Sequence, residues 1–378
     1  MKKIILAFDS FKGSASSEEL AEAATAGIAD ACPHCETVRF TLADGGEGTT
    51  AALAAAFAAT PVSAATFGPL GDCITAQYAI TGNTAIIETA AASGLTLVPE
   101  GRRNPMKTSN YGTGVLIADA IRRGCRKIIL GLGGSATNDA ATGILAALGY
   151  RFLDSDGHEL YPCGENLTKI TAIDASDTDP RLARTEFVLA CDVDNPFCGK
   201  NGAAAVYAPQ KGATPEQVRA LDDGMRHYAS LLLSLTGTDI SDIPGAGAAG
   251  GIAGGLLPFV NARIRSGIDT VLDTLGFDDA LDGADLVLTG EGRIDAQSAM
   301  GKAISGIVRR AARNNVPVIA LAGEVADASA LIDSGLTAAF SIQTAPTDLS
   351  TAMQKDNTLH NVRRTTSQLI AALARFSR

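Results

Sequence analysis

The chain has 378 residues, 46% of them hydrophobic and 19% charged, with a formal net charge of -10. That length suits two domains with a core each, and the composition is that of a globular protein. The negative balance excludes a general nucleic-acid or membrane-surface binder, so an anionic ligand needs locally placed Lys or Arg.

Met1 to Asp9 starts with two lysines but sets only five apolar residues before an acid, too few for a signal-peptide core. No apolar run reaches membrane-span length. Seven cysteines, an odd number without framework spacing, fit reduced thiols and a cytoplasmic location. Cys32-Pro33-His34-Cys35 has no second pair and follows a helix rather than opening one, so it reads as exposed loop thiols.

Lys3 to Phe8 predicts a strand, Asp9 to Ser14 a polar turn, and Ser16-Ser17-Glu18-Glu19 the cap of a helix running to about Asp30. Val38 to Leu42 is a second strand. It closes on Ala43-Asp44-Gly45-Gly46-Glu47-Gly48-Thr49-Thr50, and an alanine-rich helix then runs to about Ala59. This βαβα rhythm opens a doubly wound parallel sheet, with polar turns at the strand C-termini where such sheets bind ligands.

The rhythm then changes. Ala76 to Ile80 and Thr84 to Glu88 form a hairpin around Thr81-Gly82-Asn83, which does not continue a parallel sheet. Further strands fall near Tyr150 to Leu153 and Phe187 to Cys191, and a helix runs from Thr214 to about Leu235. At Ala284 the βα pattern returns, with Asp285 to Thr289 a strand, Gly290 to Asp295 a turn, and Ala296 to about Asn314 a helix. Strands at Val316 to Leu321 and Ala338 to Ile342 and a final helix complete the chain. The reading is a discontinuous α/β domain, residues 1–65 plus 284–378, split by a mixed-sheet α/β domain at 66–283.

Within the inserted part, Lys127 to Leu132 is a buried strand that breaks into Gly133-Gly134-Ser135-Ala136-Thr137-Asn138-Asp139, with a helix expected from Ala140. Strand, glycine turn and helix N-terminus together aim backbone N–H groups and the positive dipole end at one point, an anion site best suited to phosphate. Asp9, Asp44, Glu47, Asp139, Glu291 and Asp295 all stand in or just after polar glycine turns. Carboxylates gathered beside a phosphate repel it unless a divalent cation intervenes, and Mg²⁺ binds through one or two carboxylates plus phosphate oxygens.

Lys12 and Arg293 bring positive charge to the same strand ends. Gly301-Lys302 lacks the following Ser or Thr and the glycine spacing of a P-loop. Asp192, at the end of another strand, is placed to accept a proton from a substrate hydroxyl. His158 and His227 read as turn and helix residues. One rival pattern exists: Gly131 to Ala136 fits G-x-G-x-x-A, with Asp154 or Asp156 as a ribose acid, the mark of a nicotinamide-dependent oxidoreductase. Asp139 opposes it, because its charge would face the pyrophosphate unshielded.

Seven segments then match in order. They are Asp9-Ser10-Phe11-Lys12, Ala43 to Thr49, Gly68-Pro69-Leu70-Gly71, Gly133 to Asp139, Pro209-Gln210-Lys211-Gly212-Ala213, Gly245 to Gly251, and Thr289 to Asp295 through Gln297-Ser298 and Gly301-Lys302. Together they resemble the bacterial glycerate kinase type 1 family (glycerate 2-kinase) over nearly the whole chain. The resemblance implies ATP- and Mg²⁺-dependent phosphorylation of D-glycerate to 2-phosphoglycerate. It also implies two α/β domains, one discontinuous and Rossmann-like, with the site in a cleft between them.

Residue by residue, the reading is that Gly133, Gly134, Ser135, Thr137 and Asn138 would cradle phosphates, and Asp44, Glu47 and Asp139 would meet the metal. Asp9, Ser10, Lys12, Arg293 and Asp295 would bind substrate, with Asp192, Lys12 and Arg293 catalytic. ATP and D-glycerate are the expected partners, and oligomeric state, a homo-oligomer included, is left open. Where the family pattern continues Asn-Asp-Gly-Gly, this chain has Ala140-Ala141, which predicts a firmer first helical turn and crowding of any ligand close to that backbone.

Overall fold

The computed structural model describes residues 1–42, 59–295, 298 and 303–376. Asp44, Glu47, the rest of the Ala43-to-Thr50 turn and most of the helix expected after it lie outside the described residues, as do Gln297, Gly301 and Lys302. The described chain divides into two compact units, 1–48 with 267–378, and 49–266.

The first unit begins with β1 (Lys3–Phe8), an unbroken buried apolar run, and α1 (Ser17–Ala31). Ser16 and Glu19 form a capping box, each side chain taking the other's backbone N–H, which satisfies two donors the helix start would otherwise leave open. Next comes β2 (Glu36–Arg39), set earlier in the chain than the expected Val38 to Leu42 because Lys3 pairs with Glu36. Cys32 and Cys35 are half-buried against this core rather than exposed, and burial, with Cys32 alongside, pushes the Cys35 thiol up to about 11.

The second unit opens with β3 (Thr60–Phe67), β4 (Cys73–Thr81) and β5 (Thr84–Glu88), antiparallel neighbours in a meander. Thr81 faces Thr84, so Gly82-Asn83 is the two-residue turn that the sequence indicates. From β5 the sheet turns parallel through β6 (Lys127–Gly131), β9 (Glu186–Ala190) and β10 (Asn261–Arg265), in the order β10-β9-β6-β5-β4-β3. Between β6 and β9, β7 (Arg151–Leu153) and β8 (Ala172–Asp174) make a separate two-stranded sheet. The sequence boundary at residue 65 cuts through β3. The strand's pairing with β4 over its whole length places it in the second sheet.

The chain re-enters the first unit at Gly267 rather than Ala284. The helix Gly267–Thr274 belongs to this unit because Asp269 and Asp273 pair there with the buried Arg310. Then come β11 (Leu286–Ile294), β12 (Val318–Val325) and β13 (Ala338–Ser341), giving an all-parallel sheet β13-β12-β11-β1-β2. The expected turn at Gly290 to Asp295 is strand up to Ile294, since Arg293 and Ile294 pair with Glu324 and Val325. Gly290 sits there because a Cβ would lie 2.0 Å from the Leu321 carbonyl oxygen, a close backbone approach of the kind that places glycine inside strands. One parallel sheet and one mixed sheet, each within its own α/β layer structure, are the fold class read from the sequence. Among the described residues no helix is long and apolar enough to cross a membrane.

Candidate active site

In the second unit the parallel strands end together. Glu88 of β5 pairs with Gly131 of β6, Gly131 with Ala190 of β9, and Ala190 with Arg265 of β10. The chain leaves this edge in two places that matter. After β6 comes the glycine loop, tied back by Leu132 N–H donating to the Ala190 carbonyl at 3.2 Å. After β9 comes Asp192, exposed on the same edge.

The glycine loop is pinned on either side of its first amides. Leu95 N–H donates to the Gly134 carbonyl and Ala136 N–H to the Ser93 carbonyl, each at 2.8 Å. Thr108 Oγ1 donates to the Ala136 carbonyl at 2.8 Å. The N–H groups of Gly133, Gly134 and Ser135 meet no acceptor among the described residues, Gly133 and Gly134 are exposed, and open space surrounds Gly133. Consecutive amides without acceptors at a strand C-terminus are the donor set of an anion nest.

The helix after the loop contributes less than the sequence suggests. It begins at Thr142 and ends at Ala147, not from Ala140. Ala140 and Ala141 are left-handed, with φ of 53° and 66°, at a cost of about 1–2 kcal/mol each for an L-residue. The glycines of Ala248–Leu256 press on this segment from above. A Cβ on Gly255 would lie 1.9 Å from the Ala140 carbonyl oxygen, and one on Gly250 2.1 Å from that of Thr137. Gly250 in turn accepts from Ala140 N–H at 3.1 Å. Backbone stacked on backbone bends the chain at 140–141, so neither alanine supplies the firm first turn expected of it.

The amides of that helix start are already taken. Thr142 N–H donates to the Asp139 carbonyl at 2.9 Å, and Ile144 N–H to Asn110 Oδ1 at 2.6 Å. Asp139 itself is wholly buried. Asn110 N–H reaches its Oδ2 at 2.8 Å, and the Asn110 side-chain amide holds its Oδ1. Both oxygens of this enclosed carboxylate are engaged, which leaves no open face for the Mg²⁺ contact expected of Asp139. Among the described residues, Asp154, Asp156 and His158 alone bring three candidate ligand atoms within 4.8 Å of one another.

Lys211, a member of the Pro209-to-Ala213 match given no role in the sequence reading, is 3% exposed. Its Nζ donates to Ser135 Oγ at 2.9 Å and to the Thr137 carbonyl at 2.7 Å. Burial pulls this ammonium down to about 7, opposed by the charge of Asp139. Burial pushes the Asp139 carboxyl up to about 7, against the pull of the Asn110 and Gly143 amides and of Lys211. On the same segment Thr137 Oγ1 and Asn138 Oδ1 are buried with no hydrogen-bond partner among the described residues. A buried lysine more than seventy residues away has no sequence signature beyond its place in a matched segment, which is why it went unassigned.

In the first unit the substrate candidates collect at the ends of β1 and β11. Phe8 pairs with Gly290, and Asp9 N–H donates to the Gly290 carbonyl at 2.9 Å. Asp9 is buried, and its Oδ1 accepts from the half-buried Ser10 at 2.6 Å. Phe11 and Ala15 close a tight turn, with Gly13 left-handed at φ 76°, that leaves Lys12 exposed. Arg293, 60% exposed, pairs with Glu324 at 3.4 Å and Asp295 at 3.7 Å. Ion pairs this exposed are worth about 0–1 kcal/mol, so an anionic ligand can compete for the guanidinium. Ser298 accepts from Asp295 N–H at 3.2 Å and returns its own N–H to the Asp295 carbonyl.

The oxidoreductase reading fails on geometry and on kinship. Asp154 accepts from the amides of Asp156 and His158, both at 2.9 Å. It closes an exposed turn after β7 instead of receiving a ribose. A sequence profile of the glycerate kinase family matches residues 4–374. The chain is 45% identical to a glycerate kinase of Bacillus cereus over 93% of each protein, and 40% identical to a glycerate 2-kinase of Escherichia coli over 98% of each. A crystal structure described as a glycerate kinase 2 from Salmonella typhimurium LT2 superposes with a TM-score of 0.86 at 42% identity, covering 100% of this chain and 99% of that one. A profile over almost every residue, full-length relatives and a matching structure place the chain in the glycerate kinase family.

Proposed function

We propose that the protein transfers the γ-phosphoryl group of ATP to the 2-hydroxyl of D-glycerate, giving 2-phosphoglycerate and ADP. The observation that carries the nucleotide half is the run of amides at Gly133, Gly134 and Ser135, without acceptors among the described residues, at the C-terminal ends of parallel strands. The acceptor half rests on the relatives, two of them named glycerate kinase and glycerate 2-kinase.

In this reading the glycerate hydroxyl oxygen attacks the γ-phosphorus, the bond to the β–γ bridging oxygen breaks, and ADP leaves. Asp192 takes the hydroxyl proton. Such a transfer asks little covalent chemistry of the protein, so positioning and charge neutralisation dominate. Gly133 to Asn138 hold the nucleotide's phosphates. Lys12 and Arg293 hold the glycerate carboxylate or the moving phosphoryl group, Arg293 through a bidentate fork. Asp9, Ser10 and Asp295 shape that anion subsite. Magnesium dependence is part of the proposal, with Asp44 and Glu47 as its candidates. The enclosed Asp139 does not fit, and no step here runs through the ion.

The test is release of ADP on mixing enzyme, ATP and D-glycerate, with phosphorus NMR of the product. Turnover abolished by EDTA and a 2-phosphoglycerate resonance are expected. A 3-phosphoglycerate product would overturn the regiochemistry, and no ADP release with D-glycerate would overturn the acceptor.

A further inference from the structure

Lysines are almost never buried unless they are paired, and the exception here stands under the loop assigned to the nucleotide. Ser93, Leu95 and Thr108 pin the loop from one side through neutral hydrogen bonds. Lys211 pins it with the side chain's charge, and among the described residues it alone bridges two loop residues, Ser135 through the hydroxyl and Thr137 through the carbonyl. Gly133 and Gly134 have no side chains to anchor them, so the shape of the nest depends on what holds the residues that follow. The approach of Lys211 is itself built into the backbone. Gly212 is left-handed at φ 93°, and a Cβ there would lie 2.4 Å from the Arg103 carbonyl oxygen, so the 209–212 turn is seated hard against its neighbour.

We propose that Lys211 is a positioning residue for phosphoryl transfer: its ammonium ties Ser135 to Thr137 and so sets the curvature of the amide nest that receives the nucleotide's phosphates. This rests on the reading of Gly133 to Thr137 as the ATP loop. A point charge with three donors is suited to the task, because it can serve two acceptors on one strand of chain while adding positive potential beneath an anion. A tie of this kind acts on the nucleotide and leaves the affinity for D-glycerate alone, whereas general loosening of the unit would weaken both.

The experiment compares wild type, Lys211→Met and Ser135→Ala by calorimetric binding of ATP and, separately, by KM for D-glycerate, with circular dichroism and melting as controls for folding. Lys211→Met is expected to weaken ATP binding about 10- to 100-fold, the loss of one or two hydrogen bonds to a charged group. The KM for D-glycerate should stay within about twofold. Ser135→Ala, which removes one end of the tie and leaves the lysine in place, is expected to weaken ATP binding about 3- to 10-fold. A folded Lys211→Met that binds ATP like wild type overturns the proposal. Should that variant fail to fold, wild-type ATP affinity in Ser135→Ala overturns it instead. Equal losses for ATP and D-glycerate would also overturn it, by showing a merely structural role. Failure of wild type to bind ATP would instead remove the underlying reading of the loop.

Discussion

The two units present the same device, the C-terminal edge of parallel strands, in opposite physical styles. The edge after β6 is over-determined beneath its exposed glycines: Asp139 and Lys211 lie inside the protein, every loop carbonyl from Gly134 to Thr137 apart from that of Ser135 accepts a hydrogen bond described above, and two alanines are held in left-handed geometry beneath a glycine-rich segment. The edge after β1 and β11 is open, with Lys12 exposed and Arg293 held, among the described residues, by solvent-screened partners. A rigid amide nest suits a phosphate chain of constant shape. Exchangeable charges suit a small acid that must enter and leave as an anion.

The largest effect expected from breaking this contrast is at Asp192. Asp192→Asn should lower kcat by about 10²- to 10⁴-fold, the usual worth of a general base, with KM values little changed in an ADP-release assay. A near-normal kcat would remove Asp192 from that role.

Next comes the pH dependence of the buried edge. The Asp139 pKa is raised on folding, so between about 4 and 7 the native state binds more protons than the unfolded chain, and stability falls as pH rises. The Lys211 pKa is lowered on folding, so between about 7 and 10.5 the unfolded chain binds more protons, and stability rises with pH. These two groups together therefore carve a trough near neutral pH, with slopes up to about 1.4 kcal/mol per pH unit. Urea unfolding across pH should show Asp139→Asn losing the falling limb and Lys211→Met losing the rising one. Parallel curves for wild type and variants would show that the pair is not titrating as buried groups.

At the open edge, Arg293→Ala should raise the KM for D-glycerate about 10- to 100-fold, the loss of a charge-assisted bidentate contact. Its melting temperature should hardly move, since exposed substitutions usually change stability by less than about 0.5 kcal/mol. A large drop in melting temperature with an unchanged KM would reverse the contrast between the two edges. The smallest effect sharpens the picture of strain. Ala140→Gly relieves a left-handed alanine and should change stability by no more than about 1 kcal/mol, stabilising if strain dominates. A loss above about 2 kcal/mol would mean that the buried methyl group matters more than the backbone angle.

Much of this architecture is legible from short-range pattern. The apolar run Lys3 to Phe8, the Ser16/Glu19 cap and the Gly82-Asn83 turn each encode their element locally, and each appears where the residues indicate. The strand that breaks into Gly133-Gly134 was legible too, because an apolar run ending in two glycines marks its own turn. What local pattern misread is equally specific. Glycines at 290 and 292 look like a turn, yet both lie in a strand, and at Gly290 the neighbouring strand comes too close for a side chain. Ala140-Ala141 looks like the best possible helix start, yet packing from Gly250 and Gly255 bends it the other way.

By itself, then, the sequence determined the alternation of elements, the parallel and mixed sheet classes and the kinship of the chain, all of which are written in neighbours a few residues apart or in ordered segments. Only the tertiary structure decided that Asp139 is wholly enclosed and held by Asn110, and that Lys211 stands beneath a loop more than seventy residues upstream. The physical reason is that the charge state, enclosure and partners of a side chain depend on which distant backbone packs over it.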